Sequence, residues 1–286
     1  MPGPSTIAIS PGMQDVSLSK GQSYEGEFFV INPPENKGEI NVTIAVSPMS
    51  FENDTYDLYF DYPMDYNQIV NWIEIEESEL KIALGEKRPI KYKINVPEDA
   101  PDGSQYAAFL VKLKANSEEK PMGVSVINDS QIAMLLYSTV EGETREEGKI
   151  IENGISLIYL NSPIKTTSFL ENLGNIHSPA TFTLSVYTPF SDEPVYTNEE
   201  TPETSIIIPG TTHYAEHTWS ETPKLGIYKI VQEIDFADQT AYKTRYALVC
   251  PTWFLVLVAL FIASCVVFLL ESRRRRKIYK NVLKNP

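Results

Sequence analysis

The sequence predicts an all-β protein of two tandem immunoglobulin-like β-sandwiches followed by a single C-terminal transmembrane α-helix. Three observations carry this expectation. Short stretches mixing alternation with β-branched and aromatic residues recur between Pro, Gly, Asn and Asp punctuation through the first 249 residues. Their order is echoed once along the chain. Residues 253 to 270 then form a run of 18 without a charge.

In chain order the strand candidates are EGEFFVINP, EINVTIAVSP, RPIKYKINVP, QYAAFLVKL and SQIAMLLYSTV. None has a 3.6-residue period, and short strands with regular turn signals argue for antiparallel sandwiches. FFVINP followed by EINVTIAVSP is echoed by TSFLENLGN followed by SPATFTLSVYTP. The correspondence pairs Asn32 with Asn172, Gly85 with Gly210 and Gly103 with Gly226, at offsets of 140, 125 and 123. The unequal offsets place a longer loop in the first copy, at FENDTYDLYFDYPMDYNQ. Each copy reads as a strand, a Gly turn, a second strand, a Pro-x-Gly corner and a closing strand, with Gly supplying positive φ and Pro presetting the corner. The charged, apolar-poor segment EGETREEGKIIENG, residues 141 to 154, is the expected boundary. It gives domains at 1–143 and 144–249, a span at 250–271 and a tail at 272–286.

A helix of 18 residues covers about 27 Å, close to the roughly 30 Å of a bilayer's hydrocarbon core. Trp253, Phe254, Leu260 and Leu270 are the expected anchor, and Arg273, Arg274, Arg275, Arg276 and Lys277 its stop-transfer signal. Seven cations against Glu271 give residues 271 to 286 a net charge of +6, which leaves −20 on the rest of a chain whose total is −14. Basic residues beside a span stay cytoplasmic, so the expected location is the cell membrane, single-pass, with the bulk extracellular and the C-terminus cytoplasmic. An acidic bulk argues against nucleic acid as a partner. MPGPSTIAISPGMQDVSLSKG enters strand and turn chemistry at once, so a signal for export is expected upstream or already removed. The opposite orientation would make the chain a tail-anchored cytosolic adaptor.

Four features invite chemistry. HYAEH, residues 213 to 217, has the H-x-x-E-H order of a zinc-peptidase class. That chemistry needs a helix; in a strand, His213 and His217 share a face about 13 Å apart, too far for one zinc ion. Asp54, Asp57, Asp61 and Asp65 are spaced carboxylates but lack the calcium-loop order with its central Gly. Tyr56, Tyr59, Tyr62 and Tyr66, in the same loop, are amphipathic rings suited to contact with a partner. Trp72 and Trp219 are expected between sheets. A Gly-rich phosphate loop, a nucleophile elbow and a Cys/His pair are all missing from the sequence, which therefore offers no catalytic residue and implies no cofactor. Cys250 and Cys265 fall at the membrane boundary and within the span.

Residues 71 to 111 resemble the N-terminal module of WxL-interacting proteins of Gram-positive cell surfaces. The matching positions are Trp72, Ile73, Leu84, Gly85, Glu86, Val96, Pro97, Ala100, Pro101, Gly103, Tyr106 and Ala107. ENLGNIHSPATFTLSVY and IIPGTTHYAEHTW resemble the membrane-proximal immunoglobulin-like module of the same architecture. The resemblance implies a non-enzymatic surface protein whose first domain contacts cell-wall peptidoglycan and whose second contacts surface proteins. A pilus-chaperone-like protein, which completes another protein's sheet with an exposed strand edge, is the alternative.

Overall fold

The computed structural model describes residues 6–52, 57–60, 62–114, 130–160, 163–221 and 225–282. The first half contains β1 (Ala8–Ser10), β2 (Met13–Leu18), β3 (Ser23–Ile31), β4 (Ile40–Pro48), β5 (Ser50–Phe51) and β6 (Leu58–Tyr59). A 3-10 segment (Asp65–Asn71) follows, then β7 (Ile73–Ile75), β8 (Glu79–Ile82), β9 (Lys87–Asn95), β10 (Gly103–Lys114) and β11 (Gln131–Val140). The second half contains β12 (Gly148–Ile155), β13 (Ile158–Tyr159), β14 (Ile164–Asn172), β15 (Ser178–Tyr187) and β16 (Pro194–Thr197). It continues through β17 (Glu203–Ile207), β18 (Thr212–Trp219), β19 (Gly226–Phe236) and β20 (Gln239–Val249) to α1 (Thr252–Val282).

The chain is mostly β, in a broadly immunoglobulin-like sandwich arrangement, with one apolar C-terminal helix. Sheet β1-β3-β9-β7 shares a core with sheet β2-β11-β10-β4-β8, and β12-β14-β18 does so with β13-β20-β19-β15-β16, where β17 also pairs with β15. The strand order is used twice. In each half the first strand pairs antiparallel in one sheet, and the chain then crosses to pair parallel with the half's last strand: β2 with β11, and β13 with β20.

The repeat extends to single hydrogen bonds. Asn32 and Asn172 are both fully buried. The Asn32 amide donates to the carbonyls of Gly38 at 2.9 Å and Ile82 at 3.0 Å. The Asn172 amide donates to Ile176 at 2.9 Å and Ile207 at 2.8 Å. Each main-chain oxygen accepts from the Gly of the facing turn, Gly85 and Gly210, at 2.9 Å in both halves. Those glycines sit at φ 74° and 70°, the left-handed region that a side chain disfavours.

One expectation needs correction. Residues 148 to 154, read as part of a linker, form most of β12: their backbone pairs with β14 from Gly148 to Ile155, and pairing outweighs a charged composition. Cys250 is buried, and the helix starts two residues later, at Thr252. The helix runs on past residue 271, where the membrane span is expected to end, through Arg273, Arg274, Arg275, Arg276 and Lys277 to Val282. Its stretch Thr252–Arg274, which contains an 18-residue window of mean hydropathy 3.0 that the rest of the chain leaves unburied, is long and apolar enough to cross a membrane. Trp72 and Trp219 are buried as expected.

Candidate functional site: an open strand edge

β20 is an eleven-residue strand hydrogen-bonded to β19 along its whole length, from Gly226 opposite Val249 to Phe236 opposite Gln239. Its other side meets β13 only at Ile158↔Leu248 and Tyr159↔Val249. Among the described residues, 239 to 247 therefore have no ladder partner on the outer side. The direction of each backbone group follows from two bonds. The N–H groups of Leu248 and Cys250 point outward to Leu157 and Tyr159 at 2.8 and 2.9 Å. With a period of two and an unbroken register, the N–H and C=O groups of 240, 242, 244 and 246 point outward as well. An unpaired row of this length is a template for an added strand.

Beside the edge lies a cleft of about 310 Å3 between β12, β14 and β20, lined by Glu152, Gly154, Ile155, Ser156, Lys165, Thr167, Lys243 and Arg245. Arg245 Nη1 donates to the Ile155 carbonyl at 2.7 Å, and Lys165 Nζ meets Glu216 Oε2 at 2.5 Å. Glu216 raises the pKa of the Lys165 ammonium, which therefore stays charged. Three cations gathered on an acidic chain suit an acidic segment.

The expected contact loop divides by role. Tyr56, Asp54 and Asp61 lie outside the described residues. Tyr59 and Tyr62 are exposed and stand edge to face at 6.4 Å, with the Tyr59 hydroxyl donating to Glu52 Oε2 at 2.9 Å. That carboxylate raises the Tyr59 pKa above the usual phenol range. Tyr66 instead packs at 5.3 Å against Tyr106, which meets Tyr137 at 5.4 Å. Burial pushes the Tyr137 phenol up to about 12. This column belongs to a buried cluster of Met49, Tyr106, Ala108, Leu110 and Tyr137, completed by Ile208 from the second half. Tyr66 thus has a packing position.

His177 joins the halves. Its Nδ1 lies 2.8 Å from Ser104 Oγ, its Nε2 3.1 Å from Asp15 Oδ2, and its main-chain N–H donates to Ser104 Oγ at 2.9 Å. The Ser104 hydroxyl thus bridges the His177 main-chain N–H and ring, while the ring's other nitrogen faces the Asp15 carboxylate.

HYAEH lies in β18, with His213 and His217 both facing inward. His217 uses both ring nitrogens, Nδ1 to Glu203 Oε2 at 2.6 Å and Nε2 to Ser168 Oγ at 2.9 Å, and stacks on Phe182 at 4.4 Å. Among the described residues there is no group of three or more His, Cys, Asp or Glu able to hold a metal. Burial, and then the neighbouring His217, lower the His213 pKa. The unfolded chain therefore binds this proton more readily, so His213 contributes stability that is fully present above about pH 6.5 and is lost progressively as the pH falls below that value through the lower folded-state pKa. The melting temperature is expected to fall between pH 7.5 and 5.5 and to fall less in His213→Leu; equal slopes would clear the imidazole.

No family model and no curated protein matches the chain. Solved structures similar to it include several fimbrial chaperones. A chaperone–tip adhesin complex of CFA/I fimbriae is 9% identical, covering 84% of this chain and 99% of that one, with a TM-score of 0.42. The class 5 fimbrial chaperone CfaA is 11% identical, covering 85% and 99%, with a TM-score of 0.40. The CsuC–CsuE chaperone–tip adhesin complex of Acinetobacter baumannii is 14% identical, covering 86% and 99%, also at 0.40.

These findings overturn the resemblance to WxL-interacting proteins, and peptidoglycan as a partner falls with it. The residues that carried the resemblance have local structural work. Gly85 and Glu86 bond Asn32, the Glu86 carboxylate accepts from the Ala83 N–H at 2.8 Å, and Val96, Ala100 and Gly103 shape a corner. Turn geometry of this kind recurs in the second half of the same chain, so it marks a fold and not a ligand. Likenesses at 14% identity or less leave function to be argued from this chain's own strand edges.

Proposed function

We propose that this chain is a non-enzymatic, single-pass membrane protein that binds an extended segment of another surface protein as an added strand along the outer edge of β20. In this reading two tandem sandwiches, 1–143 and 144–249, stand on the extracellular side of the cell membrane. Trp253, Phe254, Leu260 and Leu270 anchor the span, and Arg273 to Lys277 keep the tail cytoplasmic. The observation that supports the binding role is the run 239 to 247 with its outward backbone groups free of a ladder partner among the described residues. Backbone bonds would supply affinity, and Lys165, Lys243 and Arg245 would favour carboxylates on the incoming segment. Tyr59 and Tyr62 remain contact candidates of the first sandwich.

A photo-crosslinker at Tyr242 in intact cells tests the edge. A discrete adduct is expected, falling about tenfold in Thr244→Pro, which removes one outward N–H and sets a ring against the incoming strand. The melting temperature should be nearly unchanged, whereas Lys243→Pro, which loses an N–H bonded to β19, should unfold the second half. No adduct, or an adduct undiminished by Thr244→Pro, would reject strand addition here. Orientation is checked by protease treatment of the same cells: loss of peptides upstream of the helix with a C-terminal tag protected supports it, and the converse pattern means a cytosolic adaptor.

A further inference from the structure

The end of the second half from which the helix departs carries apolar side chains that the folded chain leaves exposed. In one cross-strand row, Ile158 on β13, Leu248 on β20 and Ile227 on β19 lie side by side on the outward face, at 57%, 39% and 53% exposure. The alternate residues Tyr159, Val249 and Tyr228 point into the core. Loops at the same end add to the row. Leu157 and Leu160 flank β13, Leu225 precedes β19, and Phe190, in the loop after Tyr187, is wholly exposed at 102%. The register places that loop here, because Tyr187 pairs with Lys229, two residues from Ile227.

Polarity rises away from this end. One step up the same face Tyr246 pairs with Lys229, whose ammonium lies 5.3 Å from the Tyr187 ring; two further steps up Tyr242 pairs with Glu233. At the opposite end the β19–β20 turn is made of Ala237 and Asp238. Apolar chains first, then amphipathic rings with a cation, then charge, is the order in which a bilayer surface is met from the acyl boundary outward. Only Cys250 and Pro251 separate β20 from the helix. This end is therefore continuous with whatever surface the helix enters.

We propose that the second half docks on the bilayer surface, with Phe190, Leu157, Leu160 and the Ile158–Leu248–Ile227 row seated at the boundary between headgroups and acyl chains. The inference rests on reading α1 as a membrane span. Because the contact is apolar, phosphatidylcholine alone should support it.

The test uses the full chain with Cys250 and Cys265 replaced by Ala, reconstituted in phosphatidylcholine vesicles, and carrying a nitroxide on Phe190→Cys or, as a control, on Asp238→Cys. Resistance to alkaline carbonate reads the span; collision with oxygen against an aqueous nickel chelate reads the docking. A carbonate-resistant chain whose oxygen-to-nickel ratio is severalfold higher at 190 than at 238 supports the proposal. A resistant chain with equal ratios overturns docking and leaves the span standing. Spin–spin broadening at 190 would put a second copy on the patch and overturn docking too. Release by carbonate would remove both. Position 190 is fully exposed, so the label should leave folding intact.

Discussion

Gly103→Ala is expected to cost about 3 kcal/mol and to loosen the contact between the halves. Gly103 sits at φ 99°, where an L side chain is strained by roughly 1–2 kcal/mol. A Cβ there would lie 2.2 Å from the Asn175 carbonyl oxygen. That oxygen accepts from the Ser104 N–H at 2.8 Å, and the Asn175 side chain ties Arg145 and Glu143 to the same corner. Relieving the overlap moves the loop and breaks at least one of these bonds, at about 1 kcal/mol or more. The His177 contacts to Ser104 and Asp15 lie on the same loop and should weaken with them. The check is thermal unfolding together with small-angle scattering of the span-free chain. A lower first transition and a larger radius of gyration are expected. Gly85→Ala and Gly210→Ala are the controls: both share the positive φ, but a Cβ at either meets nothing within 4 Å, so only the strain should appear. A Gly103→Ala loss no larger than theirs would show that the close approach is unimportant.

Asn172→Ala is expected to destabilise the second half by about 2–4 kcal/mol, and Asn32→Ala the first half by a similar amount. Each change leaves two main-chain carbonyls without their donor at a fully buried position, Ile176 and Ile207 in one case and Gly38 and Ile82 in the other. It also removes the acceptor used by the Gly174 N–H at 2.9 Å or by the Asn36 amide at 2.7 Å. Asn172→Asp separates the causes, since it preserves shape and acceptor but cannot donate when ionised. If Asp restores most of the lost stability in denaturant unfolding, cavity volume matters and the two donated bonds do not. Nearly equal losses for the Asn32 and Asn172 variants would mean that the two halves use this bracket in the same way.

Those asparagines were legible in the sequence, because a strand ending in Asn before a Gly turn recurs and both partners of the bracket recur with it. The strands quoted from the first half fall within two residues of those observed, and the helix followed from hydropathy. What escaped has physical causes. The nine consecutive buried residues at the start of β10 blur alternation, because the 3-10 segment and Ile208 cover what would otherwise be its solvent face. The segment at 148 to 154 is charged, yet it becomes a strand through a partner outside any local window. The open edge was invisible for the same reason. QTAYKTRYALV reads as an ordinary half-exposed strand, and only the short reach of β13 reveals that most of its outer side has no ladder partner among the described residues. Of the candidate loop, the alternation of exposed and packed tyrosines could not be read without knowing that Tyr106 lies beneath Tyr66.

On the proposed reading of α1 as a membrane span, the two-residue join between β20 and α1 limits how high above the membrane the outer edge of β20 can act. A strand of eleven residues extends at most about 37 Å and the two-residue join adds about 7 Å, so every outward backbone group of β20 lies within about 44 Å of the helix start. Cys250 is buried and Pro251 is conformationally restricted, so the join offers little slack for the sandwich to swing away from the surface. If the proposal holds, a partner strand would have to be presented close to the lipid, by a neighbouring anchored protein or by a chain just emerging from the membrane. A long-stemmed partner would hold its segment beyond reach.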